Sequence, residues 1–229
     1  MKTILIVGNT DGIGEQITKD LLASGNRVIG ISRRDSSINH KNYSHSICDV
    51  TSAEYKLCLK RIITSIDALD VCIFCAGMGN FLNFDNLAAQ TQTFEVNTMA
   101  AVVTTEIIVG HMVSKKHGHF IGLSSIADKL ISQASPSYSA SKAAISKYWE
   151  GLGFALLDHQ VKITNVRFGF VDTKMAKSKF KPFLMTREKA SRYLKNVIER
   201  PRIRMTKPFM MGILASIIGR LLQIKVLLH

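Results

Sequence analysis

Three glycines set directly behind a short apolar run constrain this chain more than any other feature. Thr3 to Val7 reads as a buried strand and runs straight into Gly8-Asn9-Thr10-Asp11-Gly12-Ile13-Gly14. Ile17, Leu21 and Leu22 then recur at helical spacing. A strand, a glycine-rich turn and a helix make a dinucleotide site by mechanism. Gly8 permits the tight turn, Gly12 lets backbone approach a pyrophosphate, and Gly14 lets the helix lie close to the sheet. The phosphates meet the helix N-terminus, with its free N–H groups and positive dipole end.

The alternation continues along the chain. Strand patterns follow at Arg27 to Ser32, His45 to Cys48, Asp70 to Cys75, His119 to Ser124 and Lys162 to Arg167. Helical patterns lie between them at Ala53 to Ser65, Thr91 to Lys116 and Tyr138 to His159. Apolar strands separated by helices predict an α/β fold, a doubly wound parallel sheet of Rossmann type covered on both faces. With 229 residues, no repeat and no linker, a single domain is expected over residues 1–207, with a C-terminal basic and apolar extension at 208–229.

Where the second strand ends, about twenty residues past the glycines, NAD enzymes place an acid against the ribose 2′-hydroxyl. Here Ser32-Arg33-Arg34 stands at that point. Two guanidinium groups and a hydroxyl suit a 2′-phosphate, so NADP(H) is favoured over NAD(H). Asp35 is the acid that would argue otherwise if the strand ended later.

The chemistry concentrates at Tyr138-Ser139-Ala140-Ser141-Lys142. A free phenol titrates near ~10 and is a poor acid or base at neutral pH. A lysine four residues on lies on the same helical face, and its charge would draw the phenol towards the working range. Ser125 lies thirteen residues before Tyr138, with Asn97 further back. Tyr138 then acts as acid or base, Lys142 tunes it, and Ser125 hydrogen-bonds the same substrate oxygen. Ser124 is the competing hydroxyl.

Taken together these pieces resemble the short-chain dehydrogenase/reductase family, in its smaller single-domain branch. The match runs through Gly8-x-x-x-Gly12-x-Gly14, Cys75-Ala76-Gly77, Asn97, Ser124-Ser125, Tyr138/Lys142 and Phe168-Gly169-x-Val171-x-Thr173, covering roughly residues 1–175. The resemblance implies that Asp49-Val50 holds the adenine edge and Cys75-Ala76-Gly77 passes behind the adenosine ribose. It implies that Gly169, Val171 and Thr173 hold the nicotinamide carboxamide, and that Lys142 also bonds the nicotinamide ribose. Asn97 resembles the asparagine that kinks its helix and holds a water beside the lysine. Val7 departs from the family's threonine and Phe168 from its proline. The resemblance implies a carbonyl or alcohol substrate, and a homo-oligomer, dimer or tetramer, is expected. Ile126, Leu130, Ile131, Phe81, Phe84, Phe170, Met175 and Phe180 fall in segments that border the family's substrate, which leans towards a lipophilic one.

Other readings are weaker. Cys72 and Cys75 form a C-x-x-C pair, but residues three apart on a strand face opposite ways, so they read as core thiols. His117 and His119 flank Gly118 at a helix-to-strand turn and read as a solvated loop. No metal site is expected. Met1-Lys2 is followed by five apolar or small residues before the polar turn. No secretory core fits there, and a cytoplasmic protein is expected.

The net charge of +13 is uneven: residues 1–173 hold 16 Lys/Arg against 15 Asp/Glu, and residues 174–229 hold 14 against two. A helix pattern (Thr186 to Glu199), a strand-like run (Arg202 to Met205) and an apolar segment (Phe209 to Leu228) share that basic region. The uninterrupted apolar stretch, Phe209 to Gly219, is too short to span a bilayer, and Arg220 and Lys225 interrupt the rest. Burial within the protein or its dimer is the first expectation, and membrane-surface association the alternative. Nucleic acid is not expected, because stacking aromatics are not interleaved with the cations. A catalytically silent NADP(H)-binding regulator is the rival class of function, against which the full Asn97, Ser125, Tyr138 and Lys142 set argues.

Overall fold

The computed structural model describes residues 1–178 and 180–228. The strands are β1 (Thr3–Val7), β2 (Arg27–Ser32), β3 (Tyr43–Ile47), β4 (Val71–Phe74), β5 (Gly118–Ser125), β6 (Val161–Phe168) and β7 (Arg204–Lys207). They form one parallel sheet in the order β3-β2-β1-β4-β5-β6-β7. The helices are α1 (Gly12–Ala23), α2 (Tyr55–Thr64), α3 (Ala88–Phe94), α4 (Ala100–Lys115), α5 (Pro136–Ala155), α6 (Arg187–Glu199) and α7 (Phe209–Leu227). This is the Rossmann-type doubly wound sheet that the alternating pattern predicts. The strand order reverses between β1 and β4, which opens a crevice at the carboxyl ends of those strands.

The core has two layers because successive strand residues face opposite ways. Leu5, Val7, Ile29, Cys72 and Phe74 point to the side covered by α2, α4 and α5. Ile4, Ile6, Val28, Val71 and Ile73 point to the side covered by α1 and α6, with Cys75 packed against that layer. Cys72 and Cys75 therefore lie in opposite layers, as their spacing requires, and burial pushes the Cys75 thiol up to about 12.

Element edges shift where tertiary pairing overrides local pattern. β3 starts at Tyr43, two residues before the expected His45, because Tyr43 pairs with Val28. The expected single helix over Thr91 to Lys116 starts at Ala88 and is broken by one widened turn, Glu95–Met99. His119 corrects the reading of a solvated loop: it is buried in β5, bonded to Thr164 Oγ1 at 2.8 Å, and burial lowers its pKa to about 4. His117 is exposed and reaches Asp70 at 2.8 Å.

Helix α5 carries the tyrosine and lysine, and its seat on the sheet is a glycine. A Cβ on Gly122 of β5 would come within 2.3 Å of the Trp149 ring. The indole is fully buried, donates to Thr105 Oγ1 at 3.0 Å, and lies against Phe74 and Phe120. No rotamer of that ring can leave a core this full, so a methyl at position 122 lifts α5 off β5. Gly122→Ala is expected to lower the unfolding free energy by about 1–3 kcal/mol in urea denaturation, and an unchanged midpoint would mean the helix is not seated on this residue.

Candidate active site

The carboxyl end of β5 separates the two candidate serines. Ser124 Oγ lies 2.5 Å from Ser146 Oγ and donates to the Lys142 carbonyl at 3.3 Å, so it ties β5 to α5. Ser125, on the alternate side, caps the tight turn Ile126–Lys129 by accepting from Ala127 N at 3.1 Å. Its hydroxyl also neighbours the Tyr138 phenol. Burial raises the Tyr138 pKa, and the Ser125 hydroxyl acts against that rise. Of the two serines, Ser125 is the one placed at the phenol.

Lys142 is buried beneath them. Its Nζ donates to the Leu123 carbonyl at 3.0 Å and stands 5.9 Å from the centre of the Tyr138 ring. Burial lowers its pKa to about 8, with Cys75 acting weakly the other way. The sequence predicts a lysine that draws the phenol down. In this structure the lysine is held by a carbonyl, and desolvation governs the phenol instead.

Asn97 sits in the widened turn Glu95–Met99, almost wholly buried. Its Oδ1 accepts from Met78 N and its Nδ2 donates to Met78 O, both at 2.8 Å, and Nδ2 also reaches Ser141 Oγ at 3.0 Å. The side chain therefore clamps the loop after β4 onto α5. That loop covers the site closely: a Cβ on Gly77 would lie 3.5 Å from Lys142 Nζ, and one on Gly79 would lie 3.1 Å from the Tyr138 ring. Gly79 is a site residue that the sequence reading passed over, since a lone glycine in a loop carries no signal.

The glycine turn after β1 is built for close approach. Gly8 has φ +87°, and a Cβ there would meet Ala76 N at 2.6 Å; a Cβ on Gly14 would strike the Gly8 carbonyl at 1.9 Å. Asp11 caps α1 through Gly12 N at 2.8 Å. The N–H groups of Ile13 and Gly14 face the crevice end of α1 with no acceptor among the described residues. Asn9 and Ser32 have structural work inside this turn. Asn9 N donates to Ser32 Oγ at 3.0 Å and Ser32 Oγ to Asn9 Oδ1 at 2.8 Å. Asn9 Nδ2 continues to Tyr43 OH and His45 Nδ1, and its amide fills the space above Gly30. Gly30, Tyr43 and His45 were not legible as partners, being far from Asn9 in sequence.

Around this turn the charges are shared. Burial alone would raise Asp11, but hydrogen bonds from Lys174, Arg34 and Gly12 N hold its carboxyl below the usual range. Arg34 meets it at 3.2 Å and Lys174 at 3.0 Å. Arg33 is exposed and forms no ion pair among the described residues, leaving it the freer cation at the end of β2. Thr51 N and its hydroxyl bond Asp49, at the end of β3 beside the half-buried Val50. Gly169, Val171 and Thr173 follow β6. A Cβ on Gly12 would lie 3.1 Å from Thr173 Cγ2, so this segment closes over the glycine turn. Lys174, which latches it to Asp11, is a further contributor the sequence did not single out.

At the substrate end, Phe81, Phe84, Ile131, Met175 and Phe180 are exposed on the surrounding loops. Ile126 is not among them: it is buried against Met211 and Ala215 of α7, with Leu130 packed beside it.

A parallel Rossmann-type sheet with hydroxyl, phenol and ammonium groups gathered at its carboxyl edge is the architecture of a dinucleotide-dependent oxidoreductase. The family model for short chain dehydrogenases matches residues 2–182, and this chain belongs to that family. It is 29% identical over 219 residues to a fatty acyl-CoA reductase of Acinetobacter baylyi, covering 88% of this chain and 74% of that protein. It is also 29% identical over 198 residues to an uncharacterized oxidoreductase of Myxococcus xanthus, covering 80% and 78%. Two solved folds align closely. A short-chain dehydrogenase from Streptomyces avermitilis gives TM-score 0.84 at 20% identity, covering 99% and 95% of the two chains. One from Burkholderia cenocepacia, in complex with NADP, gives 0.83 at 22%, covering 94% and 93%.

The buried ammonium of Lys142 has a measurable cost. Its folded pKa, about 8, lies below the unfolded value near 10.5, so the unfolded chain holds more protons between those limits. Stability is therefore expected to rise with pH from about 8 towards 10 in the wild type, and the rise should be missing in Lys142→Met. At pH 7 that variant should be more stable by on the order of 1 kcal/mol. Urea titrations across that range test this, and parallel pH curves for the two proteins would refute it.

Proposed function

We propose that this protein interconverts a carbonyl and an alcohol with NADP(H), on a lipophilic small molecule. The observation that carries the reading is the grouping of Ser125, Tyr138 and Lys142 under the Gly77–Gly79 loop, opposite the glycine turn. The crevice fits a dinucleotide. Ile13 and Gly14 N–H groups stand open at the N-terminus of α1, where a pyrophosphate is best held. Asp49 and Val50 would border the adenine, Cys75, Ala76 and Gly77 the ribose, and Gly169, Val171 and Thr173 the nicotinamide.

Bound there, the cofactor supplies or takes up hydride. The chain's own groups handle the proton and the position. Tyr138 OH gives its proton to the substrate oxygen in reduction and takes it back in oxidation. Ser125 Oγ hydrogen-bonds the same oxygen and fixes it beside the phenol. Lys142, now on Leu123 O, would bond the nicotinamide ribose of a bound cofactor, and its positive charge near the phenol would oppose the desolvation that raises it. Asn97 keeps the Met78 peptide and α5 in register, so that the loop lies over these groups. The exposed aromatic and aliphatic side chains of the surrounding loops support a lipophilic substrate, and a fatty acyl-CoA reductase, named for a substrate with a fatty acyl chain, is among the relatives.

Tyr138→Phe is expected to abolish NADPH oxidation with whichever carbonyl compound the wild type reduces, while cofactor affinity stays nearly intact. Lys142→Ala should damage both turnover and cofactor binding. Substantial turnover by purified Tyr138→Phe would end this mechanism.

Cofactor choice rests on the end of β2. NADPH should bind at least tenfold more tightly than NADH, about 1.4 kcal/mol, through charge-assisted bonds from Arg33 and, where it can leave Asp11, Arg34. The NADP-bound state of the Burkholderia cenocepacia structure supports the same preference. Replacing both arginines with alanine should erase the difference and spare NADH binding. Equal affinities in wild-type titrations would defeat the assignment.

A further inference from the structure

Helix α7 is docked the reverse of an ordinary surface helix. Its small residues face the protein: Gly212, Ala215 and Gly219 are buried, with Met211 the one large side chain among its buried positions. A Cβ on Gly219 would strike the Lys129 carbonyl at 2.0 Å, and one on Gly212 would meet Thr206 Cγ2 at 2.5 Å. Apart from Met211 the bulky apolar side chains point largely outward, and only four of the helix's 19 residues are buried. Within the chain only this inner face of the segment is buried. The segment also forms one continuous helix of 19 residues, long and apolar enough to cross a membrane by length and composition, where the sequence reading ended the apolar run at Gly219. Helix α6 packs beside α1 on one side of the sheet, whereas α7 turns onto the Arg204 and Thr206 side of β7.

Between α7, β6 and β7 lies a cavity of about 400 Å³. Its polar side is Arg167, Arg204, Arg220, Thr206 and Ser216. Its apolar side is Phe209, Ile213 and Ile217, which continue onto the outward face of α7. Arg167 is 4% exposed, paired with Asp128 at 2.5 Å, and its Nε has no hydrogen-bond partner. Arg204 is clasped by Glu150 through two guanidinium nitrogens. Arg220 has no acidic partner among the described residues. Two carboxylates thus answer three guanidinium groups, and Lys129 adds a further cation beside them. Burial lowers the Lys129 pKa, and Arg167, Lys147 and Arg204 depress it further while Asp128 opposes them. The surplus charge is real and local.

A buried guanidinium with an unmet N–H, set in an excess of positive charge, calls for an anion. An adjoining wall of exposed isoleucine and phenylalanine calls for hydrocarbon. We propose that this cavity is a second ligand site, for an anionic amphiphile: Arg167, Arg204 and Arg220 take its phosphate or carboxylate head, and its acyl chain lies along Phe209, Ile213 and Ile217. None of its lining residues belongs to the Ser125, Tyr138 and Lys142 group. The head group could arrive on a free single-chain amphiphile or on a bilayer lipid, and the test separates the two.

Full-length protein is titrated calorimetrically with dodecyl phosphate below its micelle concentration, with inorganic phosphate, and with uncharged dodecyl maltoside. In parallel it is sedimented with phosphatidylcholine vesicles with and without phosphatidylglycerol. Dodecyl phosphate or the anionic vesicles should bind at least tenfold better than their uncharged counterparts. Arg220→Glu should weaken that binding at least tenfold, and Ile217→Ser should weaken dodecyl phosphate but not inorganic phosphate. Both side chains are exposed, and unchanged urea unfolding checks that the variants are folded. An effect with dodecyl phosphate alone identifies a free amphiphile, and an effect with vesicles identifies a bilayer lipid. The proposal is overturned if Arg220→Glu binds like wild type in both arms, or if inorganic phosphate or the uncharged detergent binds as tightly as dodecyl phosphate.

Discussion

Helix α5 reaches the sheet at a glycine, and most of the candidate site depends on that contact. Trp149 can lie flat over β5 only because Gly122 has no side chain, and the buried indole then fixes the height of the helix. Three and two turns away on the same helix, Tyr138 and Lys142 inherit that height. The Leu123 carbonyl meets Lys142 Nζ and Ser125 stands beside the phenol because β5 and α5 are locked at this spacing. A rigid helix converts one close packing contact into the placement of a phenol some distance away.

The lysine shows what such a site costs. A buried ammonium with a single carbonyl partner is poorly solvated, so its pKa falls towards 8. The same desolvation raises the phenol. Both shifts weaken the groups as charged species. Asp11, by contrast, is well supplied with partners, since Arg34, Lys174 and the Gly12 N–H surround it. The crevice thus holds an undersupplied cation at one end and a saturated anion at the other.

Helix α7 solves a different problem. Glycine and alanine on its inner face allow backbone-to-backbone approach to the Ile126–Lys129 turn, which follows Ser125 directly. Ile126 fills the gap between them, so a residue that the family resemblance put at the substrate belongs instead to the seat of α7. The helix is consequently coupled to the site through one short turn, while its bulky side chains remain available to something outside the chain.

Local signals were enough to read the architecture and the chemical groups. The apolar runs, the three glycines after β1 and the Tyr138–Lys142 spacing each depend on residues close in sequence, where helix and strand periodicity apply. From these the doubly wound sheet, the order of its elements and the Tyr138–Lys142 pair could be stated, and the family resemblance added Asn97 and Ser125 to the set. What the sequence could not decide were contacts between residues far apart along the chain. Whether Ser124 or Ser125 faced the phenol depended on Ser146. The state of Lys142 depended on a backbone carbonyl of β5. The role of Asn9 depended on Tyr43 and His45 across two strands, and His119 changed from loop to core because β5 pairs with β4 and β6. The orientation of α7 was hidden for the same reason. A helix with apolar residues on nearly every side has no periodicity to say which face turns inward, and only the close approach allowed by Gly212 and Gly219 settles it.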